Sequence, residues 1–344
     1  MELRFLVIGT GSIGARHISN LQSLGYQCGV YSYRQRELPE SLSISKDHVH
    51  KDLSSNTLKQ YDAAVIANET SEHLNVAMSA ATGGLHVFLE KPVSNNTKGL
   101  EDLKRLIRSK NIVSEVGYML RCHPNVLFLK KYLGRQSLGK ILYVRGLAGH
   151  WLPDWRPEVD YRDGYAISKS KGGGVLLDLS HEIDLFNWLL GPIKEVSAMT
   201  LKDDLLASET ESVVHVLFRF ENNIVGQLSL DYLRKDYKRE IEVVGEHGTL
   251  VWDYRRGTVT LSSSDDKFEV IDKVPENFER NSMFLDHMKN FIARIRDTVS
   301  TSVCSLDEAV VTQHILEGIE LASYTRRTVS FDGKQGYPYV EDSI

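Results

Sequence analysis

Gly9-Thr10-Gly11-Ser12-Ile13-Gly14 follows the apolar run of Leu3, Phe5, Leu6, Val7 and Ile8 and opens a segment with helical spacing at Ile18, Leu21 and Leu24. Strand, glycine turn and helix in that order make a seat for a pyrophosphate. The first glycine allows the tight turn, the second lets phosphates reach the backbone, and the third lets helix and strand pack closely. The free N–H groups and the positive dipole end of the helix then face the anion. Gly9, Gly11, Ser12, Ile13 and Gly14 are therefore candidates for contact with a dinucleotide.

Further along the first third, β-rich runs at Cys28 to Tyr33, Ala63 to Ala67, His86 to Leu89 and Ile112 to Val116 alternate with helical patterns such as Leu100, Leu103, Leu106 and Ile107. Several runs are continuously apolar, as strands covered on both faces of a parallel sheet must be. The prediction is a doubly wound α/β domain over residues 1–121. A chain of 344 residues exceeds what one core organises, so a second domain is expected. With 42% hydrophobic and 25% charged residues and a net charge of −5, it reads as an ordinary globular protein with no basic patch for nucleic acid. Cys28, Cys122 and Cys304 form no C-x-x-C pair, and no apolar run approaches membrane-spanning length, so a cytoplasmic protein without a metal site is expected.

In a doubly wound fold the second strand normally ends in an acid that binds the adenosine ribose. Here the sequence is Val30-Tyr31-Ser32-Tyr33-Arg34-Gln35-Arg36, without that acid. Ser32 and Arg34 suit a 2′-phosphate, since guanidinium groups hold phosphates as a fork. NADP(H) is favoured and NAD(H) is the alternative, in which the arginines are solvated or Glu37 reaches the ribose.

Ligands gather outside the carboxyl ends of the strands in such sheets. Glu90 and Lys91 stand where the strand through Val87, Phe88 and Leu89 ends, and Pro92 restricts Lys91 to an extended conformation, which aims the lysine. Asn68, His73, Glu90 and Lys91 join the cofactor-side candidates, and Lys91 is also a candidate for chemistry.

A glycine turn followed by His17, then Glu90-Lys91-Pro92, then Gly117-Tyr118-Met119-Leu120-Arg121-Cys122-His123-Pro124, resembles the Gfo/Idh/MocA family of nicotinamide-dependent oxidoreductases from about residue 4 to about residue 330. The resemblance implies an N-terminal Rossmann domain coupled to an α+β C-terminal domain, here 122–344, with an open, mostly antiparallel sheet. It also implies sugars, cyclitols or sugar nucleotides as substrates.

The second half has signals of its own. Alternating runs at Ile141 to Ala148, Val213 to Phe220, Ile224 to Leu230, Glu240 to Val244, Thr249 to Trp252 and Thr258 to Leu261 are separated by turn residues and predict an antiparallel meander. Helices are expected at Asn281 to Arg296 and Ser305 to Thr325, the latter opening with a Ser305…Glu308 capping box. At least part of this tail is expected to pack back on the first domain.

Gly172-Gly173-Gly174 precedes an amphipathic helical pattern on which Asp178, His181 and Asp184 fall at i, i+3 and i+6. An imidazole between carboxylates can serve as general acid or base, or be a buried structural group. The resemblance implies the former: the family motif G-G-G-x-L-x-D-x-x-x-H-x-x-D places its His and first Asp at the active site with the E-K-P lysine. Asp184 matches the second Asp, and Asp178 stands one residue closer to His181 than in that motif.

The preceding stretch from His150 to Arg162, with Trp155, Arg156 and Tyr161, suits a polyhydroxylated or anionic ligand, or an interface. Together with Lys91, Arg121 and His181, these three are the substrate-side candidates.

The resulting expectation is hydride transfer between nicotinamide and a carbinol carbon. In it His181 moves the hydroxyl proton, Lys91 polarises the oxygen, and Asp184 or Asp178 tunes His181. The alternatives are redox-neutral elimination or glycoside cleavage with the same cofactor, and a cofactor-binding regulator without chemistry. An open sheet face predicts a homodimer or homotetramer.

Overall fold

The computed structural model describes residues 3–32, 42, 44–157, 160–263, 267–332 and 336–340. The chain divides into two compact units, Met1–Met119 with Glu279–Val310, and Leu120–Phe278 with Val311–Ile344. No helix among the described residues is long and apolar enough to cross a membrane.

The first unit is built on six parallel strands: β1 (Arg4–Ile8), β2 (Gln27–Tyr31), β3 (Val49–His50), β4 (Ala63–Ile66), β5 (His86–Leu89) and β6 (Ser114–Val116). Their order, β3-β2-β1-β4-β5-β6, is that of a Rossmann sheet. The continuous apolar runs follow from burial on both faces. Phe5 and Val7 face Ile18, Leu21, Met288 and Phe291, while Leu6 and Ile8 face the core that holds Ala77, Leu103 and Ile107.

The helix Arg280–Ile295, late in sequence, belongs to this unit, packing Met288, Phe291 and Ile292 into its core and holding one buried acid. Glu115 on β6 has no exposed surface and meets His287 Nε2 at 3.2 Å, Arg294 Nη1 at 2.6 Å and the Cys304 backbone N–H at 3.1 Å. Burial raises its pKa, but the His287 bond and charge and the Cys304 N–H outweigh it and hold the carboxyl below its usual range.

The second unit carries a ten-stranded sheet. Its strands are β7 (Ile141–Gly149), β8 (Ile193–Leu201), β9 (Val213–Phe220), β10 (Val225–Asp231), β11 (Lys238–Gly245), β12 (Gly248–Asp253), β13 (Thr258–Ser262), β14 (Phe268–Lys273), β15 (Val329–Phe331) and β16 (Pro338–Tyr339). The order is β14-β13-β12-β11-β7-β10-β9-β8-β15-β16. This corrects the expected meander in one respect: β7 lies between β11 and β10 and runs parallel to β10. The chain leaves β7 through a loop and helices, returns at β8, and fills the sheet back to β10 before β11 pairs on the other side of β7.

One sheet face is buried under the helix Ser180–Leu190, where Phe186 packs edge-on to Phe218 at 5.6 Å. The other face leaves Leu217 and Met199 exposed at 61% and 78%. The predicted capping box forms at the helix Leu306–Thr325, with Ser305 Oγ accepting from the Glu308 N–H at 3.2 Å and Glu308 Oε2 accepting from the Ser305 N–H at 3.0 Å.

His123, which precedes the helix Pro124–Gly134, is 1% exposed and sits among the rings of Trp252, Tyr254 and Phe278 at 5.1–5.4 Å. Neither ring nitrogen has a hydrogen-bond partner among the described residues. Burial, with the Arg239 charge, pushes its pKa down to about 4 from 6.5. The native state thus refuses a proton that the unfolded chain takes up, so stability is full above the unfolded value and falls as the pH drops from 6.5 towards 4. The loss should reach about 3 kcal/mol at the acid end. Urea unfolding across that window should show the slope in the natural protein and a flatter line in His123→Phe.

Candidate active site

In the first unit, Gly9 has φ +101°, and a Cβ there would lie 2.5 Å from the Ala67 carbonyl oxygen. A Cβ on Gly14 would lie 1.9 Å from the Gly9 carbonyl oxygen. Gly11 differs, because a Cβ there would meet nothing within 4 Å. Packing therefore demands the first and third glycines, and open space lies over the second. The helix Ser12–Ser23 has no side-chain N-cap and no acid in its first turn, which leaves its positive end unopposed. Asn68 Oδ1, just past β4, is buried without a protein partner among the described residues. These features fit a pyrophosphate on the turn and a polar ligand group beside it. Ser32, at the end of β2, shares a 2.8 Å hydrogen bond with Thr10 Oγ1 of the same turn, while Arg34 lies outside the described residues.

At the end of β5, Glu90 is 8% exposed and its Oε1 lies 2.7 Å from Nε2 of the fully buried His17. Its Oε2 accepts from the Lys91 N–H at 3.3 Å. Gly117 is glycine for this carboxyl, since a Cβ would come within 2.8 Å of it. Burial pushes the Glu90 pKa up, but the His17 bond and charge and the Lys91 charge bring it below the ordinary value, so Glu90 is an anion beside Lys91.

His73 holds the same turn from below. Its Nδ1 lies 2.7 Å from the Pro92 carbonyl oxygen and its Nε2 3.2 Å from that of Asn68. Burial depresses its pKa despite these bonds and the Glu90 charge, and in the neutral ring the shorter contact is the natural donor. Through its bond to the Pro92 carbonyl His73 braces the Lys91 turn, with its other nitrogen near the Asn68 carbonyl.

In the second unit, the glycine triplet makes close approaches. Gly174, at φ +123°, leaves room for the Glu211 carboxyl, 2.5 Å from where a Cβ would stand, and Gly173 packs on the Tyr165 carbonyl. The single helix expected after it is two: Val175–Asp178 and Ser180–Leu190, broken at Leu179. Asp178 and His181 thus stand on different helices, and the even i, i+3, i+6 stacking does not apply to Asp178.

The buried acids here are met by hydroxyl donors or by arginines. Asp178 accepts from Tyr165 OH at 2.7 Å and Tyr232 OH at 2.5 Å. Asp184 holds Arg121 through two parallel bonds, Nε to Oδ2 at 2.9 Å and Nη2 to Oδ1 at 2.8 Å, with both side chains at most 2% exposed. Glu182 pairs with the buried Arg239 at 2.7 Å; burial lowers the Arg239 pKa, but the Glu182 charge and bond together with Tyr237 and Tyr254 leave it raised. Arg121 also lies over the Trp188 ring at 5.2 Å. Arg121, expected on the substrate, and Asp184, expected on His181, are thus also bonded to one another. His181 itself is 6% exposed near the start of its helix.

Trp155 packs edge-on to Tyr232 at 5.3 Å and donates to the His150 carbonyl at 3.2 Å, Tyr161 OH reaches the Leu206 carbonyl at 3.5 Å, and Arg156 is exposed.

Two family descriptions match the chain. The GFO/IDH/MocA C-terminal domain covers residues 126–251, and the oxidoreductase family with an NAD-binding Rossmann fold covers residues 3–118. The chain belongs to the Gfo/Idh/MocA family. Myo-inositol 2-dehydrogenase of Thermotoga maritima is 26% identical over 89% of this chain and 92% of its own. Levoglucosan dehydrogenase of Pseudarthrobacter phenanthrenivorans is 27% identical over 56% of this chain and 55% of its own. A solved levoglucosan dehydrogenase in complex with NADH shares the fold with a TM-score of 0.81 at 20% identity, covering 96% of this chain and 99% of that one.

Within this Gfo/Idh/MocA member, sequence reasoning did not anticipate Tyr165, Tyr232 and Arg239. None lies in a motif; only the glycine beside Tyr165 and the strand alternation around Tyr232 and Arg239 mark them. The glycine turn offers a direct test. Gly11→Ala should keep stability within about 0.5 kcal/mol while weakening NADH or NADPH binding at least about tenfold. Gly14→Ala should cost more than about 3 kcal/mol, because the added carbon strikes backbone. Denaturant unfolding and fluorescence titration of each nucleotide measure the two effects separately.

Proposed function

We propose that this protein is a dehydrogenase that oxidises or reduces a carbinol carbon of a sugar, cyclitol or sugar nucleotide and prefers NADP(H) to NAD(H). The observation that carries the reading is the Glu90-Lys91-Pro92 turn, where an ionised Glu90 held by His17 stands beside Lys91 at the carboxyl end of β5. That is where ligands meet the strands of a parallel sheet.

Gly9, Gly11, Ser12, Ile13 and Gly14 would hold the pyrophosphate, with Asn68 on the same side, and Ser32 and Arg34 would face the adenosine ribose. When bound, the nicotinamide supplies the hydride donor or acceptor. NADP(H) is favoured because β2 ends at Tyr31 and is followed by Ser32, without the acid that would bind a ribose diol and repel a phosphate. Lys91 polarises the reacting oxygen, and His181 takes or returns the hydroxyl proton. Asp184 serves His181 through the helix, by anchoring it to Arg121. Trp155, Arg156 and Tyr161 line the substrate loop.

A cytoplasmic location and a homodimer or homotetramer complete this reading. The sheet face with Leu217, Met199, Tyr143 and Val225 exposed is the apolar area that a second copy would cover.

A panel of sugars, cyclitols and sugar nucleotides with each nicotinamide nucleotide, followed by absorbance, tests the proposal. Turnover should be found, with a lower KM for NADP(H). Lys91→Ala and His181→Ala should each lower kcat by about 10²–10⁴ while nucleotide binding survives. Unchanged turnover in both variants contradicts the assignment.

A further inference from the structure

The shortened spacing between Asp178 and His181 coincides with a change in what Asp178 does. Asp178 ends a one-turn helix, the chain breaks at Leu179, and the helix that carries His181 begins at Ser180. Both carboxyl oxygens of Asp178 receive a phenol, Oδ1 from Tyr165 and Oδ2 from Tyr232.

These two tyrosines come from different elements. Tyr232 follows β10, is fully buried, and its carbonyl accepts from the Leu152 N–H at 3.0 Å. Its ring supports Trp155 edge-on at 5.3 Å. Tyr165 lies in the segment between β7 and the glycine triplet. That segment is fastened next to it, where the Ala166 carbonyl accepts from the Gly174 N–H at 2.9 Å and the Thr210 hydroxyl at 3.2 Å. The Asp178 carboxyl, three residues before His181, is thus one knot joining the end of β10 to the loop through residues 160–171. Burial, and then the Asp178 charge, push the Tyr232 phenol pKa well above its usual value, so that this proton stays in place as a tether.

We propose that Tyr165 and Tyr232 are positioning residues that clamp Asp178, and that this clamp fixes the 160–171 loop against the segment carrying His181 and so sets substrate affinity. Asp178 acts here as the anchor of the loop. The kinetic consequence rests on the dehydrogenase reading, whereas the mechanical one rests on the fold alone.

The test uses the full-length protein as Tyr165→Phe, which removes one hydroxyl from a half-buried ring, and as Asp178→Asn, which keeps the shape and one acceptor oxygen. Limited trypsin digestion reads the loop at Arg162, Lys169 and Lys171. Tyr165→Phe should be cut there about tenfold faster than the natural protein, the scale of one lost bond to a charged group, and Asp178→Asn should fall between the two. With a substrate found in the sugar screen, Tyr165→Phe should raise KM about tenfold and change kcat less than about threefold. Unchanged cleavage of the loop in Tyr165→Phe overturns the clamp. A fall in kcat at constant KM in Asp178→Asn, with Tyr165→Phe silent, overturns it too and makes Asp178 a partner in the chemistry. Absence of turnover in the natural protein overturns the dehydrogenase reading and leaves the digestion to decide the clamp.

Discussion

A carboxylate taken out of water costs several kcal/mol unless donors replace the water it loses, and this chain buries such groups wherever its sequence motifs lie. Glu90 is answered by His17, Glu115 by His287 and Arg294, Asp184 by Arg121, Glu182 by Arg239, and Asp178 by Tyr165 and Tyr232. Removing one member of such a pair strands the other, so each pair fixes the relative placement of the elements it joins. Their net gift to stability is small, because the attraction mostly offsets the desolvation. What they confer is geometry.

That geometry bears on chemistry in two places. Between the dinucleotide turn and the end of β5, the His17–Glu90 bond ties the phosphate-facing helix to the turn that aims Lys91, and His73 closes the same turn onto Asn68 and Pro92. In the second unit, the helix bearing His181 is fastened by Glu182 and Asp184, on either side of Ile183, to Arg239 and Arg121. A general acid or base is useful only when its position is held within fractions of an ångström. In the proposed mechanism these buried pairs hold Lys91 and His181 in position.

Much of the first unit was legible because continuous apolar runs and glycine spacing are local signals. β5 begins and ends where the residues indicated, and the capping box at Ser305 formed as read. The parallel pairing of β7 with β10 was not legible, since pairing partners are chosen by tertiary packing and the alternation within each strand is the same for either neighbour. β8 escaped notice because Lys194, Glu195, Ser197 and Thr200 dilute its apolar alternation along a run of partly exposed residues. Lys91 and His181 were singled out by motifs as candidates, whereas the partners of the buried acids were not readable. Arg121 lies 63 residues from Asp184 and Tyr232 lies 54 from Asp178, separations at which sequence carries no pairing signal.

The central claim is that a hydride leaves a carbinol carbon for the nicotinamide. It is tested most directly by supplying a substrate deuterated at that carbon and examining the nucleotide by mass spectrometry. The account predicts one deuterium per turnover in the reduced nicotinamide, accumulating in step with oxidised sugar. Deuterium retained in the sugar product with no net reduction of the nucleotide, or lost to water, would contradict it.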